Sequence, residues 1–348
     1  MHVARFGRGT VWGTNTRRRT QWVGGHGAWL DLRTKPGASG FASLRALLLI
    51  GLAVALMTSS NSGASPKFSG WSTPTNLGPV VNSPFEDGGP AISKDGLSLF
   101  FGSGRPGGSG AIDLYVAQRA SVDDLWGSPM NLGPTVNTGF DEVVPALSRD
   151  GHWLFFNSNR PGGFGLIDIF ASYREHVHDD FDWQTPANLG SGVNSAFVDA
   201  GAGYFENDDL GLPLLFFTSN RPGGPGGFDI YVSAQLPDGS WGAAGVVTEL
   251  SSPANDQRPS LRFDGLEVFL NSNRAGGFGL FDIWVSTRDS TSDPWTPPLN
   301  LGPTVNSAFG DLQAYIAADR ETLYFASSRP GGLGALDLYV TTRLGPGA

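Results

Sequence analysis

The chain has 348 residues, among them 50 Gly, 24 Pro and no Cys, and a formal net charge of −9. Without cysteine it has no disulfides, thiolate metal sites, cysteine nucleophiles or lipid attached through an N-terminal cysteine. The glycine and proline signal many turns, while regularly spaced apolar runs exclude a disordered chain.

Residues 1–64 read as an N-terminal extension plus a signal peptide. Arg5, Arg8, Arg17, Arg18, Arg19, Arg33, Lys35 and Arg45 face one acid, Asp31, and the apolar core "ALLLIGLAVALM" follows at 46–57. A basic flank, a short apolar stretch and small residues at Ser62 and Ala64 predict cleavage after Ala64, and twelve apolar residues are few for a membrane span. The domain reading continues with a short linker at 65–70, a repeat domain at 71–343 and a tail at 344–348. Removing eight basic residues and one acid from 23 and 32 leaves 15 against 31, a net charge of −16. A secreted or periplasmic location is expected, with no membrane span after cleavage. So acidic a domain is ill suited to nucleic acid or anionic membrane.

From Trp71 onward the sequence repeats. "WSTPTNLGPVVN" at Trp71 returns at Trp126, Trp183 and Trp295 and is degraded at Trp241 to "WGAAGVVTELSS". A second phrase, "SNRPGGFGLIDIF" in one copy, places arginine at Arg105, Arg160, Arg221, Arg274 and Arg329, at intervals of 55, 61, 53 and 55. Each arginine is followed eight residues later by an aspartate: Asp113, Asp168, Asp229, Asp282 and Asp337. In the second unit, "PALS" predicts short strand a, "HWLFFNS" strand b, "IDIFASY" strand c and the region Trp183 to Leu189 strand d. Four short strands in about 55 residues suit a propeller blade. Five d phrases precede five a–b–c sets, so the first strand must complete the last blade and remove the free edge. The expected fold is all-β: a five-bladed β-propeller of four-stranded antiparallel blades, closed by the N-terminal strand.

These repeats resemble the TolB-type, WD-repeat-like β-propeller family of bacterial exported proteins. The resemblance rests on "S-x-D-G" before an apolar strand (Ser93, Asp95, Gly96; Ser148, Asp150, Gly151), then "S-N-R-P-G-G" and "D-I-Y", over residues 71–343. Later units depart from it: "YFENDDLGLPLLFF" replaces the turn in the third, Arg262 and Ala275 alter the fourth, and Ala317 and Arg320 the fifth. The resemblance implies protein or ligand binding at a propeller face; some relatives act on glycans or peptides. It transfers no catalytic residue.

Up-and-down strand order gathers the NLGP and RPGG phrases on one face and the S-x-D-G turns on the other. Proline and the glycines give a tight b–c turn with exposed amides. The aspartate across that loop can accept from those amides or from the arginine, so the five Arg–Asp pairs read as a structural clasp. Near strand a each unit also carries an acid: Asp87, Glu142, Asp199, Asp256 and Asp311. These form a candidate ligand-binding rim at the channel mouth, set against the plainer reading that each caps a loop or pairs with an arginine.

In "YFENDDLG", Glu206, Asp208 and Asp209 fall on the opposite face in what reads as a solvated turn. "EHVHDDFD" offers His176, His178 and Asp179 as a weak metal set. No cofactor is expected, with Ca²⁺ the one ion considered, although glycine-aspartate calcium repeats recur every nine residues or so. Phe85, Phe140, Phe197 and Phe309 read as a hydrophobic seal or as a sugar-stacking platform. No G-x-S-x-G, H-E-x-x-H or phosphate-binding loop occurs, and no catalytic residue is assigned. With near-equal blades, the expected function is an exported non-enzymatic propeller binding a protein, peptide or cell-envelope glycan on the RPGG face. The alternative is a glycan-active hydrolase or lyase using channel-mouth carboxylates.

Overall fold

The computed structural model describes residues 68–209 and 211–345. The expected signal segment at 46–57 and the cleavage point after Ala64 lie outside them. Among the described residues no helix is long and apolar enough to cross a membrane.

The described chain forms five four-stranded antiparallel sheets. In blade 1, strands a to d are Asp87–Ile92, Ser98–Ser103, Asp113–Gln118 and Met130–Asn131. Blade 2 uses Glu142–Leu147, Trp153–Ser158, Asp168–Tyr173 and Ala187–Asn188. Blade 3 uses Asp199–Asn207, Leu212–Ser219, Asp229–Ala234 and Gly245–Val246, and blade 4 Asp256–Leu261, Glu267–Ser272, Asp282–Thr287 and Leu299–Asn300. Blade 5 takes Asp311–Ile316, Thr322–Ser327 and Asp337–Thr342, and its fourth strand is Thr75–Asn76 from the start of the domain. The ring therefore closes as the repeat phase requires, and strand c of blade 5 is left without a bare edge.

Strand d is shorter than the expected Trp183 to Leu189, and an asparagine is the reason. Asn194 accepts from the Ile169 amide at 2.8 Å and donates to the Ile169 carbonyl at 2.9 Å, so its side-chain amide extends the pairing of strand c beyond Ala187–Asn188. Asn137 does the same for Leu114, and Asn306 for Ile283. Without strand residues in those places, the buried backbone groups are satisfied by the side chain.

Every strand a carries a bulge, with a register shift between its second and fifth residues, as between Gly88 and Ala91. The bulged residue sits in left-handed backbone: Gly89, Val144, Gly201, Arg258 and Gln313. Gly89 fits because an added Cβ would lie 2.9 Å from the Val144 Cα of the next blade. In three blades a side chain occupies this costly conformation, at about 1–2 kcal/mol each.

Between blades, the strand-b aromatics form the seams. Phe100 meets Trp183 edge-on at 6.2 Å, Phe216 meets Trp295 at 6.4 Å, and Phe269 meets Trp71 at 5.9 Å. The strand-d indoles thus join blades 2, 4 and 5 each to the blade before it.

Candidate functional site

The five candidate rim acids are not at a solvent-facing rim. Each opens strand a and is fully buried in its blade. Asp87 accepts from Ser83 N at 2.6 Å, Ser83 Oγ at 2.7 Å, Ser103 Oγ at 2.5 Å and Arg105 Nη2 at 2.7 Å. The same ion pair joins Glu142 to Arg160 at 2.9 Å, Asp199 to Arg221 at 2.5 Å, Asp256 to Arg274, and Asp311 to Arg329 at 2.5 Å. The correction has a physical cause: antiparallel pairing sets Asp87 opposite Ser103, so the carboxylate points along the sheet toward the start of the b–c loop. The four lone-pair positions of Asp87 are thereby engaged.

The arginine is therefore not held by the aspartate eight residues on. Asp113 accepts from Ser109 N at 2.5 Å, Gly110 N at 3.1 Å and Asn131 Nδ2 at 3.3 Å. Asp168 and Asp282 repeat this set with Asn188 and Asn300, while Asp229 and Asp337 hold the amides of Gly226 and Gly334. The expected Arg–Asp clasp is thus two devices, one arginine-centred and one built on loop amides.

A second arginine set escaped the sequence reading. Arg119, Arg174, Arg288 and Arg343 follow strand c, each 14 residues after an RPGG arginine, and they stand over Trp126, Trp183, Trp295 and Trp71 at 4.2–4.6 Å. The signal was visible in "VAQR", "ASYR", "VSTR" and "VTTR". Arg174 is buried and pairs with Asp180 at 2.7 Å; Asp180 also accepts from Ser98 and Gln118 of blade 1.

The repeated acids are thus engaged within their blades, and the blades differ where they depart from the repeat. In blade 3, strands a and b run nine and eight residues instead of six. This lengthened hairpin puts Glu206 in a strand, half-buried, rather than in the solvated turn the sequence suggested. Burial, then the nearby Asp150 carboxylate, raises the Glu206 pKa, while Arg149 and Lys94 oppose the shift. Charged groups from the turns of blades 1, 2 and 3 therefore act on one carboxyl group. Asp150 accepts from Ser148 Oγ at 2.5 Å and from the His152 amide at 3.1 Å. Asp208 lies in solvent, 4.0 Å from Arg149.

Aromatic residues flank this corner. Tyr204 stacks on Phe155 at 5.1 Å. Strand alternation carries the next side chains on those faces, Glu206 and Trp153, toward the same end of the ring. Trp153 is exposed and packs edge-on to Tyr173 at 5.1 Å, and Tyr173 stacks on His152 at 5.5 Å. On the RPGG face Phe85, Phe140, Phe197 and Phe309 are 40–44% exposed, so they do not act as a closed seal.

The metal set does not assemble. Exposed His176 pairs with Asp182 at 2.7 Å, and that hydrogen bond raises the histidine pKa. Among the described residues no group of three or more His, Cys, Asp or Glu is placed to hold a metal ion.

A five-bladed propeller of four-stranded blades is a fold with solved counterparts. An α-L-arabinofuranosidase from Podospora anserina, in complex with cellotriose, matches with a TM-score of 0.52 and 12% identity over 81% of this chain and 99% of its own. An α-L-arabinofuranosidase from Lactobacillus brevis matches at 0.53 and 12%, over 79% and 98%. A GH62 hydrolase in complex with xylotriose matches at 0.51 and 11%, over 78% and 97%. No family model matches the sequence. No curated protein matches it either. These structures share the fold; being glycoside hydrolases, they stand against the expectation of a non-enzymatic binding propeller and with its alternative.

Proposed function

We propose that this protein is an exported, glycan-active hydrolase built on TolB-type repeats, working at the end of the ring where Glu206 meets Asp150. One observation carries the reading: in a molecule whose repeated acids are engaged within their blades, Glu206 is a half-buried carboxyl with its pKa raised by burial and by a second carboxylate. Glycoside hydrolysis needs this inequality, a proton donor kept protonated beside a carboxylate that stays ionised. Glu206 is assigned to donate its proton to the departing glycosidic oxygen. Asp150, held by Ser148 and the His152 amide, is assigned to act on the sugar from the other side, and Trp153 offers an indole face to a sugar ring. The cleaved polymer is a neutral glycan of the pentose or hexose kind bound by the fold's neighbours.

The test is release of reducing sugar from arabinoxylan, arabinan, xylo-oligosaccharides and cello-oligosaccharides by the purified chain and by Glu206→Gln and Asp150→Asn. The expected result is turnover on at least one substrate, with a loss of about 10²–10⁴-fold in kcat for Glu206→Gln, the range for general acid catalysis. Equal turnover by Glu206→Gln and the parent chain, or none by the parent on every substrate, would remove the assignment.

A further inference from the structure

At the bulge of strand a, the five blades carry Gly89, Val144, Gly201, Arg258 and Gln313. Arg258 is the one cation of this set, and it sits in the channel itself with φ of 54°. Its amide donates to Thr218 Oγ1 at 2.7 Å. From blade 4 its side chain crosses the channel, and Nη2 donates to the carbonyls of Pro90 in blade 1 and Pro145 in blade 2, at 3.2 and 3.3 Å. Nη1 is buried and has no hydrogen-bond partner in the protein. It lies against Gly89, where an added Cβ would come within 3.0 Å.

A buried guanidinium ordinarily has a carboxylate beside it, as Arg174 has Asp180. Arg258 has none, and the one ionisable group acting on it is the phenol of Tyr315, which burial keeps neutral at neutral pH. Burial lowers the Arg258 pKa to about 9, which leaves the guanidinium protonated at neutral pH. Arg258 also borders a recess of about 10 Å³, lined by Tyr204, Ser260 and Tyr315 and by no carboxylate. Ser260 Oγ accepts from the Ile316 amide at 3.2 Å, leaving its own proton to donate. Ser260 and Tyr315 thus bring two hydroxyls to the border of the recess beside the Arg258 cation, in a space suited to one water-sized species.

We infer that the channel holds a single monatomic anion, a halide, as counter-ion to Arg258, with the hydroxyls of the recess completing its shell. Sulfate and phosphate are too large for the space. The anion neutralises the strained cation and locks blade 4 against blades 1 and 2. Because it binds the closed ring and not the unfolded chain, it stabilises the fold by mass action. The inference does not depend on the hydrolase reading, since Arg258, Ser260 and Tyr315 take no part in the proposed chemistry.

The test is diffraction from crystals of the full chain grown in sodium bromide, with data collected at the bromine edge. Melting curves in sodium bromide, chloride, fluoride and gluconate at constant ionic strength accompany it. The expected results are an anomalous peak in contact with Arg258 Nη1, and a melting temperature about 5 °C higher at 100-fold excess of bromide over its Kd than in gluconate. Arg258→Met should lose that anion dependence. A channel without an anomalous peak, holding water alone, would overturn the inference. So would melting temperatures independent of the anion, or an undiminished bromide response in Arg258→Met. If Arg258→Met fails to fold, the crystal and melting data on the parent chain still decide.

Discussion

Asp87→Ala is the sharpest probe of the arginine-centred device. The substitution removes four hydrogen bonds and leaves Arg105 without its carboxylate, with the guanidinium only 16% exposed. Removing one partner of a buried pair costs about 3–5 kcal/mol, because the other charge stays buried. Arg105 keeps the Val81 carbonyl at 2.6 Å and Ser103 Oγ at 2.7 Å, which favours the lower end of that range. For a domain of this size, about 3 kcal/mol lowers the melting temperature by roughly 6–12 °C. The assay is thermal unfolding followed by tryptophan fluorescence, with the seven indoles of residues 71–343 as reporters. Glu86→Ala, at the exposed neighbouring position, serves as control and should stay within about 0.5 kcal/mol of the parent. The double variant Asp87→Ala, Arg105→Met should lose less than the two single losses summed, since no orphaned charge remains. If Asp87→Ala costs no more than Glu86→Ala, the carboxylate is a solvated rim group after all and the geometry argued above is wrong.

Three more outcomes follow from the same structure. Because the fold raises the Glu206 pKa, the folded protein holds that proton more tightly than the unfolded chain does. Stability should therefore decline as pH rises from the usual glutamate range through the raised value, and hydrolysis should fall over the same window; Glu206→Gln should flatten the stability profile measured in urea. Gly334→Ala sets a Cβ 1.8 Å from the Phe85 carbonyl, at the junction of blades 5 and 1, whereas Gly139→Ala meets nothing within 4 Å; the first should lower the melting temperature severely and the second leave it unchanged. Arg174→Met strips the cation from buried Asp180, so its loss in denaturant unfolding should be about 3 kcal/mol, in the range for a broken buried pair.

The blade number and the manner of ring closure were legible because turn chemistry repeats in sequence. Proline and glycine at fixed offsets mark the b–c loops, and the order of the d and a–b–c phrases leaves one strand to be borrowed from the far end. Side-chain partnerships were less legible, because register, not proximity in sequence, decides them. Arg105 lies eight residues from Asp113 but bonds Asp87, 18 residues upstream, since strand pairing brings Asp87 beside Ser103 at the base of the arginine loop. Glu206 was hidden for a related reason. "YFENDDLG" has the composition of a solvated turn, yet pairing of Asn207 with Leu212 extends the hairpin and draws the glutamate into it. The recurrence of arginine after strand c was readable at a fixed offset, and three of its indole partners follow 7 or 9 residues later, but that the guanidinium lies on the indole is decided by how the c–d loop folds back.

A propeller of near-equal blades poses the question of where discrimination arises. A residue repeated in all five blades, buried and ion-paired inside its own blade, meets a ligand in five equivalent ways or in none. The buried acids here take the second course. The bulge position behaves differently, because glycine in two blades and valine in a third leave room for the long side chains of Arg258 and Gln313. The Gln313 carboxamide oxygen accepts from Gly89 N at 2.6 Å, so one long side chain is satisfied across the channel while the other retains an unmet donor. The blade-3 hairpin breaks the repeat in the same sense, placing an ionisable group where the other blades turn. Symmetry of sequence supplies the frame, and the two places that break it, the Arg258 bulge and the Glu206 hairpin, are where charge is left to act on something other than the protein.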